Sequence, residues 1–113
     1  MSLGIRQSDY FWADLLKQVD WYRDHASPEV AERYVNAVEA TIRELANAPG
    51  LGRPRFTDWP GLAGLRSWRV QKPYHRHLIF YRHDDKMLTA ERVVHGARDL
   101  PRRLLQSPHD ADE

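Results

Sequence analysis

The chain has 113 residues, the length of one domain, and is long enough to bury a single modest core. Its apolar fraction of 42% and charged fraction of 29% argue against a disordered chain or a fibre. No apolar run approaches the ~20 residues of a membrane span. The polar start does not predict a secretory leader. The lack of cysteine excludes disulfides and thiolate sites. We therefore expect a cytoplasmic protein.

The charge is unevenly distributed along the chain, although its formal net value is only +1. Residues 1–50 carry five Lys or Arg and eight Asp or Glu, whereas residues 51–105 carry twelve and five. An acidic half and a basic half in one small domain indicate two faces with different partners. The basic half is suited to nucleic acid or to an acidic segment of a protein.

The first half of the chain predicts one short strand and a helical hairpin. Residues 3–6 alternate apolar and polar side chains, which is typical of a strand. Apolar residues then recur at helical spacing over residues 10–23. A second helix should begin after Ser27, a good N-cap, with Pro28 at its first position, and end near Asn47. The short connection predicts that the two helices are antiparallel neighbours.

The second half predicts a long loop, three strands and a short final helix. Residues 49–64 contain three prolines and four glycines, too many breakers for a regular element. Strict alternation along the last strand places Arg92 on the same face as Leu88 and Ala90. The predicted strands cover residues 65–70, 77–83 and 86–95, and the final helix covers 100–105. The domain covers residues 1–106. An acidic tail over 107–113 follows it, and we expect this tail to be disordered.

This order of elements, β-α-α-β-β-β, predicts a two-layer α+β domain. The helical hairpin should cover one face of an antiparallel sheet, and the first strand should join that sheet at an edge. Trp12, Leu16, Trp21 and Tyr34 exceed what one narrow helical face can bury, so they are candidates for binding a partner segment.

Six segments carry recognisable motifs in order: residues 11–15 (FWADL), 27–34 (SPEVAERY), 45–52 (LANAPGLG), 64–70 (GLRSWRV), 77–82 (HLIFYR) and 93–99 (VVHGARD). Together they resemble the RelE/ParE superfamily of bacterial type II toxin–antitoxin (plasmid stabilisation) modules, and the last resembles the closing motif of the ParE branch most closely. Each segment alone is weak, but six at compatible spacing are specific. The resemblance covers nearly the whole chain and implies the same fold.

The resemblance implies one of two activities. RelE-like members cut mRNA in the ribosomal A site, whereas ParE-like members bind DNA gyrase and trap a cleavage complex without chemistry of their own. An antitoxin wraps around the toxin in both branches, so we expect a hetero-oligomer with a cognate antitoxin held by Trp12, Leu16, Trp21 and Tyr34. The ParE-like ending favours a gyrase inhibitor with no catalytic residues. The residues expected to bind the target are Arg66, Arg82, Arg92, His95, Arg98 and Asp99.

A ribosome-dependent endoribonuclease is the alternative, and it needs a base, an acid and cations for the scissile phosphate. The departures from the RelE pattern are that no tyrosine follows Arg92 and that Arg53 and Arg55 stand where RelE-like members have lysines. Two further interpretations of the chain are an inactive homologue and a nucleic-acid-binding module. The candidate site residues could also have purely structural roles. The catalytic candidates on the ribonuclease alternative are His95, Arg66, Arg82, Arg92 and Tyr81.

No metal site and no cofactor are predicted. His75, His77 and His83 lie close together in the sequence but lack an accompanying carboxylate or cysteine pattern, and their neighbourhood is cationic.

Overall fold

The computed structural model describes residues 2–96 and 100–108. Arg98, Asp99 and the tail from residue 109 therefore lie outside the described residues. The elements in chain order are β1 Gly4–Gln7, α1 Asp9–His25, α2 Pro28–Asn47, β2 Arg53–Pro54, β3 Arg66–Arg69, β4 His77–His83, β5 Met87–His95 and α3 Leu100–Leu105.

The five strands form one sheet in the order β1-β5-β4-β3-β2. The β1–β5 pair is parallel and the other three pairs are antiparallel. This confirms the predicted α+β class, the antiparallel meander and the position of the first strand at an edge. The two-residue strand β2 was not predicted, because it lies inside the segment whose prolines and glycines indicated only a loop. Within the described residues, no helix is long and apolar enough to cross a membrane.

Serine side chains begin both long helices, as their sequences predict. Ser8 Oγ accepts the N–H of Phe11 at 3.0 Å, and Ser27 Oγ accepts the N–H of Val30 at 3.1 Å. Such a cap contributes about 1 kcal/mol to stability. Ser8 Oγ also donates to the carbonyl of Glu91 at 2.8 Å, so it ties the start of α1 to β5.

The main core lies between the two long helices and one face of the sheet. Tyr34 is fully buried there, which corrects the prediction that it offers an exposed surface to a partner. The reason is its place in the repeat of α2, since Tyr34 and Val38 are one turn apart on the stripe that faces the sheet. The buried side chains of this core are Phe11, Leu15, Tyr34, Val38, Ile42, Leu45, Val70, Tyr74, Ile79, Tyr81, Leu88, Ala90 and Val93.

A second, smaller core covers the opposite face of the sheet. It joins α3 and the loop before β3 to the strands, so the sheet is not left open on the side away from the helical hairpin. Its buried members are Leu62, Leu65, Phe80, Val94 and Leu104.

A β-bulge in β5 changes which side chains share a face. Phe80 pairs with Arg92, and the following residue of β4 pairs with Ala90, so Glu91 is the extra residue. Beyond it, Val93 rather than Arg92 packs into the core with Ala90. The prediction from strict alternation was therefore wrong for Arg92, because one inserted residue reverses the order of faces along the rest of the strand.

Candidate functional site

Tyr81 and Arg66 are paired across β4 and β3, and both hold the loop that follows α2. The Tyr81 hydroxyl donates to the carbonyl of Pro49 at 2.6 Å and accepts the N–H of Gly52 at 2.9 Å. Arg66 Nη1 donates to the carbonyl of Gly52. Tyr81 is fully buried, and burial raises the pKa of its phenol. Both candidates are thus engaged in folding contacts, and Tyr81 is not accessible from solvent.

Arg92 is 5% exposed and all of its guanidinium nitrogens have partners. Nε and Nη2 donate to the two oxygens of Asp14 at 2.7 and 2.9 Å. Nη1 donates to the carbonyls of Arg103, Leu104 and Gln106 at 3.2, 3.1 and 2.9 Å. Arg92 therefore ties α1, β5 and the end of α3 together, and each of its guanidinium nitrogens is already engaged within the fold.

Asp14 completes this arrangement from the helical side. Besides holding Arg92, its carboxylate accepts the backbone N–H of Val93 at 3.1 Å. Val93 lies on β5 beyond Ala90, the last residue that pairs with β1. A buried cation is tolerated when a carboxylate and several carbonyls compensate it, as they do here. We name this group, Asp14 with Arg92 and the three carbonyls, the Arg92 clamp.

Arg82 lies on the same side of the sheet as the second core and is partly exposed. Its Nε and Nη2 donate to the carbonyls of Ala63 and Gly61, each at 3.0 Å. Its Nη1 is 3.2 Å from a carboxylate oxygen of Glu91. Arg82 thus holds the loop before β3 while leaving part of its guanidinium open to solvent.

His95 is exposed at the end of β5, and its Nδ1 lies 3.1 Å from the carbonyl of Gly96. Its ring meets the ring of His77 edge to face at 5.2 Å. His77 is buried, with Nε2 3.1 Å from the hydroxyl of Tyr22. Burial, with a smaller contribution from His95, lowers the pKa of His77 to about 4, so this imidazole is neutral at neutral pH.

The predicted site residues do not form one cluster among the described residues. Arg66 and Tyr81 face the helical hairpin, whereas Arg82 and Arg92 face the other way. Among these side chains only His95 is exposed, and it belongs to the closing motif. A base, an acid and a set of cations therefore do not converge on one point from these five side chains.

A groove of about 590 Å³ lies at the outer edge of β3, and sequence reasoning located it only in part. Arg53 and Arg55 were noted as substitutes for lysines, but Arg69 and Lys72, which line the same groove, were missed. The sequence signal for these cations was the excess of positive charge over residues 51–105. That excess does not show which of the cations lie together in the fold. Among its described lining residues, Glu44 is the only carboxylate.

Arg55 is the most constrained of the groove cations. Its Nη1 donates to Ser67 Oγ at 2.7 Å, and its guanidinium lies 4.7 Å from the centre of the Phe56 ring. Burial and the neighbouring Arg53 lower the pKa of Arg55. The groove is therefore a place where positive charges have been brought together at some electrostatic cost.

The exposed apolar side chains of α1 lie on two flanks of the helix. Trp12 and Leu16, which are 42% and 58% exposed, stand one turn apart on the same flank. Trp21 is 52% exposed, but nine residues at ~100° each place it about half a turn around the helix from Trp12. Trp21 instead stacks on His25 at 4.5 Å. The predicted partner-binding set is therefore divided between two flanks and, for Tyr34, the core. In the described part of the chain, no group of three His, Asp or Glu side chains could hold a metal ion.

Three solved structures share the fold of this chain. The chromosomal ParDE toxin–antitoxin system from P. aeruginosa matches with a TM-score of 0.68 at 19% identity, over 85% of this chain and 98% of that one. The toxin–antitoxin complex RelBE2 from Mycobacterium tuberculosis matches at 0.57 and 23% identity, over 85% and 100%. The YoeB/ParE toxin from Agrobacterium tumefaciens matches at 0.54 and 19% identity, over 84% and 100%. At these identities, the similarity establishes the fold alone.

The sequence itself also matches a family. No curated protein matches the chain. The family model for the ParE toxin of type II toxin–antitoxin systems, parDE, matches residues 5–100, which is most of the chain. All six motifs of the sequence fall inside that range. The chain therefore belongs to the ParE toxin family of type II toxin–antitoxin systems, within the RelE/ParE superfamily.

Proposed function

We propose that this toxin acts by binding DNA gyrase and trapping it, without chemistry of its own. Support comes from where the candidate side chains lie. Tyr81 and Arg92, which a ribonuclease would use for acid–base and phosphate contacts, are buried and fully engaged in holding the fold. A binding mechanism needs only an exposed surface, and His95 at the end of β5 provides an exposed group within the closing motif.

The target contacts in this proposal come from His95 with Arg98 and Asp99 of the closing motif, together with the open part of Arg82. Arg66 and Arg92 act indirectly, since Arg66 holds the loop after α2 and Arg92 holds the end of α3. Arg92 thus moves from a predicted contact to a positioning residue.

The proposed neutralising partner is a cognate antitoxin, and the complex is a hetero-oligomer formed in the cytoplasm. Two of the similar solved structures are toxin–antitoxin complexes or systems. We assign the antitoxin to the flank of α1 that carries Trp12 and Leu16, because these large apolar side chains are adjacent and exposed.

A ribosome-dependent mRNA endoribonuclease is the second candidate. The observation that favours it is the cationic groove at β3, where Arg53 and Arg55 stand near His75. Cations and a histidine are groups that RNA cleavage through the 2′-hydroxyl can use.

Induced expression in a bacterial host tests the two candidates in one culture. We expect growth arrest with gyrase-linked DNA breaks and intact mRNA. Rapid, translation-dependent loss of mRNA without such breaks would replace the proposal with the ribonuclease. Absence of arrest, with folded protein confirmed in the extract, would indicate an inactive homologue.

A matched pair of variants then tests the proposed contact residue. His95→Ala should relieve the arrest, whereas His83→Ala, at an exposed end of the neighbouring strand, should not. Equal toxicity of the two variants would remove His95 from the target surface.

A further inference from the structure

His77 is the only buried histidine among the five that the structure describes. It is 3% exposed, whereas His25, His75, His83 and His95 are all exposed. Burial takes an imidazole away from water at a cost in free energy, and a phenylalanine could fill a similar space without that cost. A buried histidine in an aromatic core therefore indicates a role for its ring nitrogens.

The fold treats the two ring nitrogens of His77 differently. Nε2 lies 3.1 Å from the hydroxyl of Tyr22, whereas Nδ1 is buried without a hydrogen-bond partner in the described part of the chain. A buried N–H without an acceptor is rarer in folded proteins than an unused acceptor atom. We therefore assign the proton to Nε2, which donates it to Tyr22. This bond anchors the plane of the imidazole from the side of α1.

Two tyrosine rings pack against His77, but only one of them holds it. The ring centres of Tyr34 and Tyr22 lie 4.9 and 6.0 Å from that of His77. The hydroxyl of Tyr34 forms no hydrogen bond with any described residue. Tyr34 thus contributes packing, whereas Tyr22 contributes packing and a directional bond.

On its other side, His77 contacts the exposed ring of His95. The two residues are paired on β4 and β5, so their side chains share one face of the sheet. Nδ1 of His95 lies 3.1 Å from the carbonyl of Gly96. Because a carbonyl only accepts, Nδ1 carries the proton of the neutral ring. Nε2 of His95 forms no hydrogen bond with the residues that the structure describes, so it is the nitrogen left for another molecule.

The contact between the two imidazoles limits how the exposed one can turn. The rings meet edge to face, with centres 5.2 Å apart and planes at 90°. A side chain that is already ordered loses less conformational freedom on binding than one that rotates. Burial also keeps His77 uncharged at neutral pH, since it lowers the pKa of this imidazole to about 4. His77 therefore offers a fixed ring that does not repel His95 when His95 is protonated.

We propose that His77 is a positioning residue for His95. Its buried ring, anchored by the hydroxyl of Tyr22, holds the exposed imidazole in one orientation. In that orientation Nδ1 of His95 faces Gly96 and Nε2 is open to the target. The inference rests on the proposed function, in which His95 contacts gyrase. His77 and Tyr22 do not touch the target themselves and act through His95.

Two variants with the same chemical change separate anchoring from packing. Tyr22→Phe removes the hydroxyl that bonds His77, whereas Tyr34→Phe removes a buried hydroxyl with no partner in the described structure. Nitrogen–proton NMR correlations at about pH 8, where an ordinary imidazole is neutral, report which nitrogen of His95 carries the proton. The unaltered chain and Tyr34→Phe should show one Nδ1–H form. Tyr22→Phe should show the averaged signals of a rotating ring.

Gyrase inhibition then tests whether this orientation matters for the target. The concentration of Tyr22→Phe that half-inhibits supercoiling should be about two- to tenfold higher, the cost of ordering one side chain on binding. Tyr34→Phe should inhibit like the unaltered chain. In a His95→Ala background, Tyr22→Phe should cause no further loss, because its effect passes through His95. If urea denaturation shows that Tyr22→Phe is unfolded, His77→Phe, which also removes the bond, replaces it.

Four outcomes overturn the proposal. Unchanged His95 signals in Tyr22→Phe would mean that His77 does not orient this ring, and altered signals with unchanged inhibition would mean that the orientation does not matter. Equal losses in Tyr22→Phe and Tyr34→Phe would indicate a general disturbance of the core. A further loss in the His95→Ala background would place the effect elsewhere. If the unaltered chain does not inhibit gyrase, the proposed function fails, and the His95 signals still decide whether His77 orients the ring.

Discussion

The Arg92 clamp and the β3 groove use the same kind of residue in opposite ways. In the clamp, every guanidinium nitrogen of Arg92 has a partner and the side chain is 5% exposed. In the groove, Arg53 and Arg69 are exposed, with no described ion pair. A buried arginine whose guanidinium nitrogens all have partners stabilises the fold, whereas an exposed, unpaired cluster is available to another molecule. The difference depends on partners that are distant in sequence, as Asp14 is from Arg92.

This contrast also separates the two ways in which a mutation at an arginine can abolish activity. Loss of Arg92 would act through the position of α3 and the stability of the domain. Loss of Arg69 would leave the fold intact and change only what binds. Activity alone does not distinguish them, so each variant needs a control at a second residue of the same type.

The largest expected effect comes from breaking the clamp with Asp14→Ala. This change leaves a buried cation without its carboxylate and an unpaired N–H at Val93, and it should cost about 3–5 kcal/mol of unfolding free energy. The control is Asp20→Ala, which removes the carboxylate of the exposed Asp20–Arg23 pair and should cost no more than ~1 kcal/mol. Urea denaturation of both variants measures the difference. Equal costs would mean that the clamp does not stabilise the domain.

A second prediction concerns the loop held by Tyr81 and Arg66. A Cβ at Gly52 would lie 2.5 Å from the Tyr81 hydroxyl and 2.8 Å from the carbonyl of Ser67. We expect Gly52→Ala to destabilise the chain by about 1–3 kcal/mol, since backbone and a buried phenol must move. At Gly50 nothing lies within 4 Å of the added atom, so Gly50→Ala is the control and should be nearly neutral. Thermal unfolding measures the difference between the two variants. Equal midpoints for Gly52→Ala and Gly50→Ala would contradict this account.

The sequence predicted the parts of this fold that depend on local pattern. Ser27 and Pro28 mark the start of α2 wherever it packs, and a helical stripe specifies its buried face without knowledge of the sheet. The bulge at Glu91 has no comparable local signal, and it reversed the predicted face of Arg92. The partner of Arg92 lies in another element, so sequence spacing could not distinguish a binding arginine from a structural one.

The surfaces were harder to predict than the elements for the same reason. Tyr34 and Trp21 are both aromatic residues on amphipathic helices, but only the packing of α1 and α2 on the sheet buries one and exposes the other. The groove at β3 requires β2 to end after two residues, which follows from loop geometry rather than from any periodic pattern. Exposed sites that are built from several elements can therefore be located only once the assembled fold is known.

An effect that is confined to acid is expected through His77. The pKa of His77 is lowered from 6.5 to about 4 in the fold. Between these pH values the unfolded chain binds the proton and the folded chain does not, so stability is present above pH 6.5 and is lost as the pH falls toward about 4. The loss is about 1.4 kcal/mol for each unit of pKa difference.

Two variants isolate the contribution of this histidine. His77→Gln should flatten the dependence of unfolding free energy on pH over this window. His83→Gln, at an exposed position of the same strand, should keep the slope of the unaltered chain. An unchanged slope in His77→Gln would assign the acid sensitivity to other groups.

The smallest expected effect on stability comes from the exposed flanks of α1. The two flanks should nevertheless differ most in antitoxin binding. Trp12→Ala and Trp21→Ala remove side chains of similar exposure from opposite flanks, and we expect them to differ by no more than about 0.5 kcal/mol in unfolding free energy. Because Trp12 is adjacent to Leu16 whereas Trp21 stacks on His25, only Trp12→Ala should weaken capture of the cognate antitoxin and its rescue of growth. The reverse result would move the antitoxin to the flank that carries Trp21, and equal losses would require a partner that wraps around the helix.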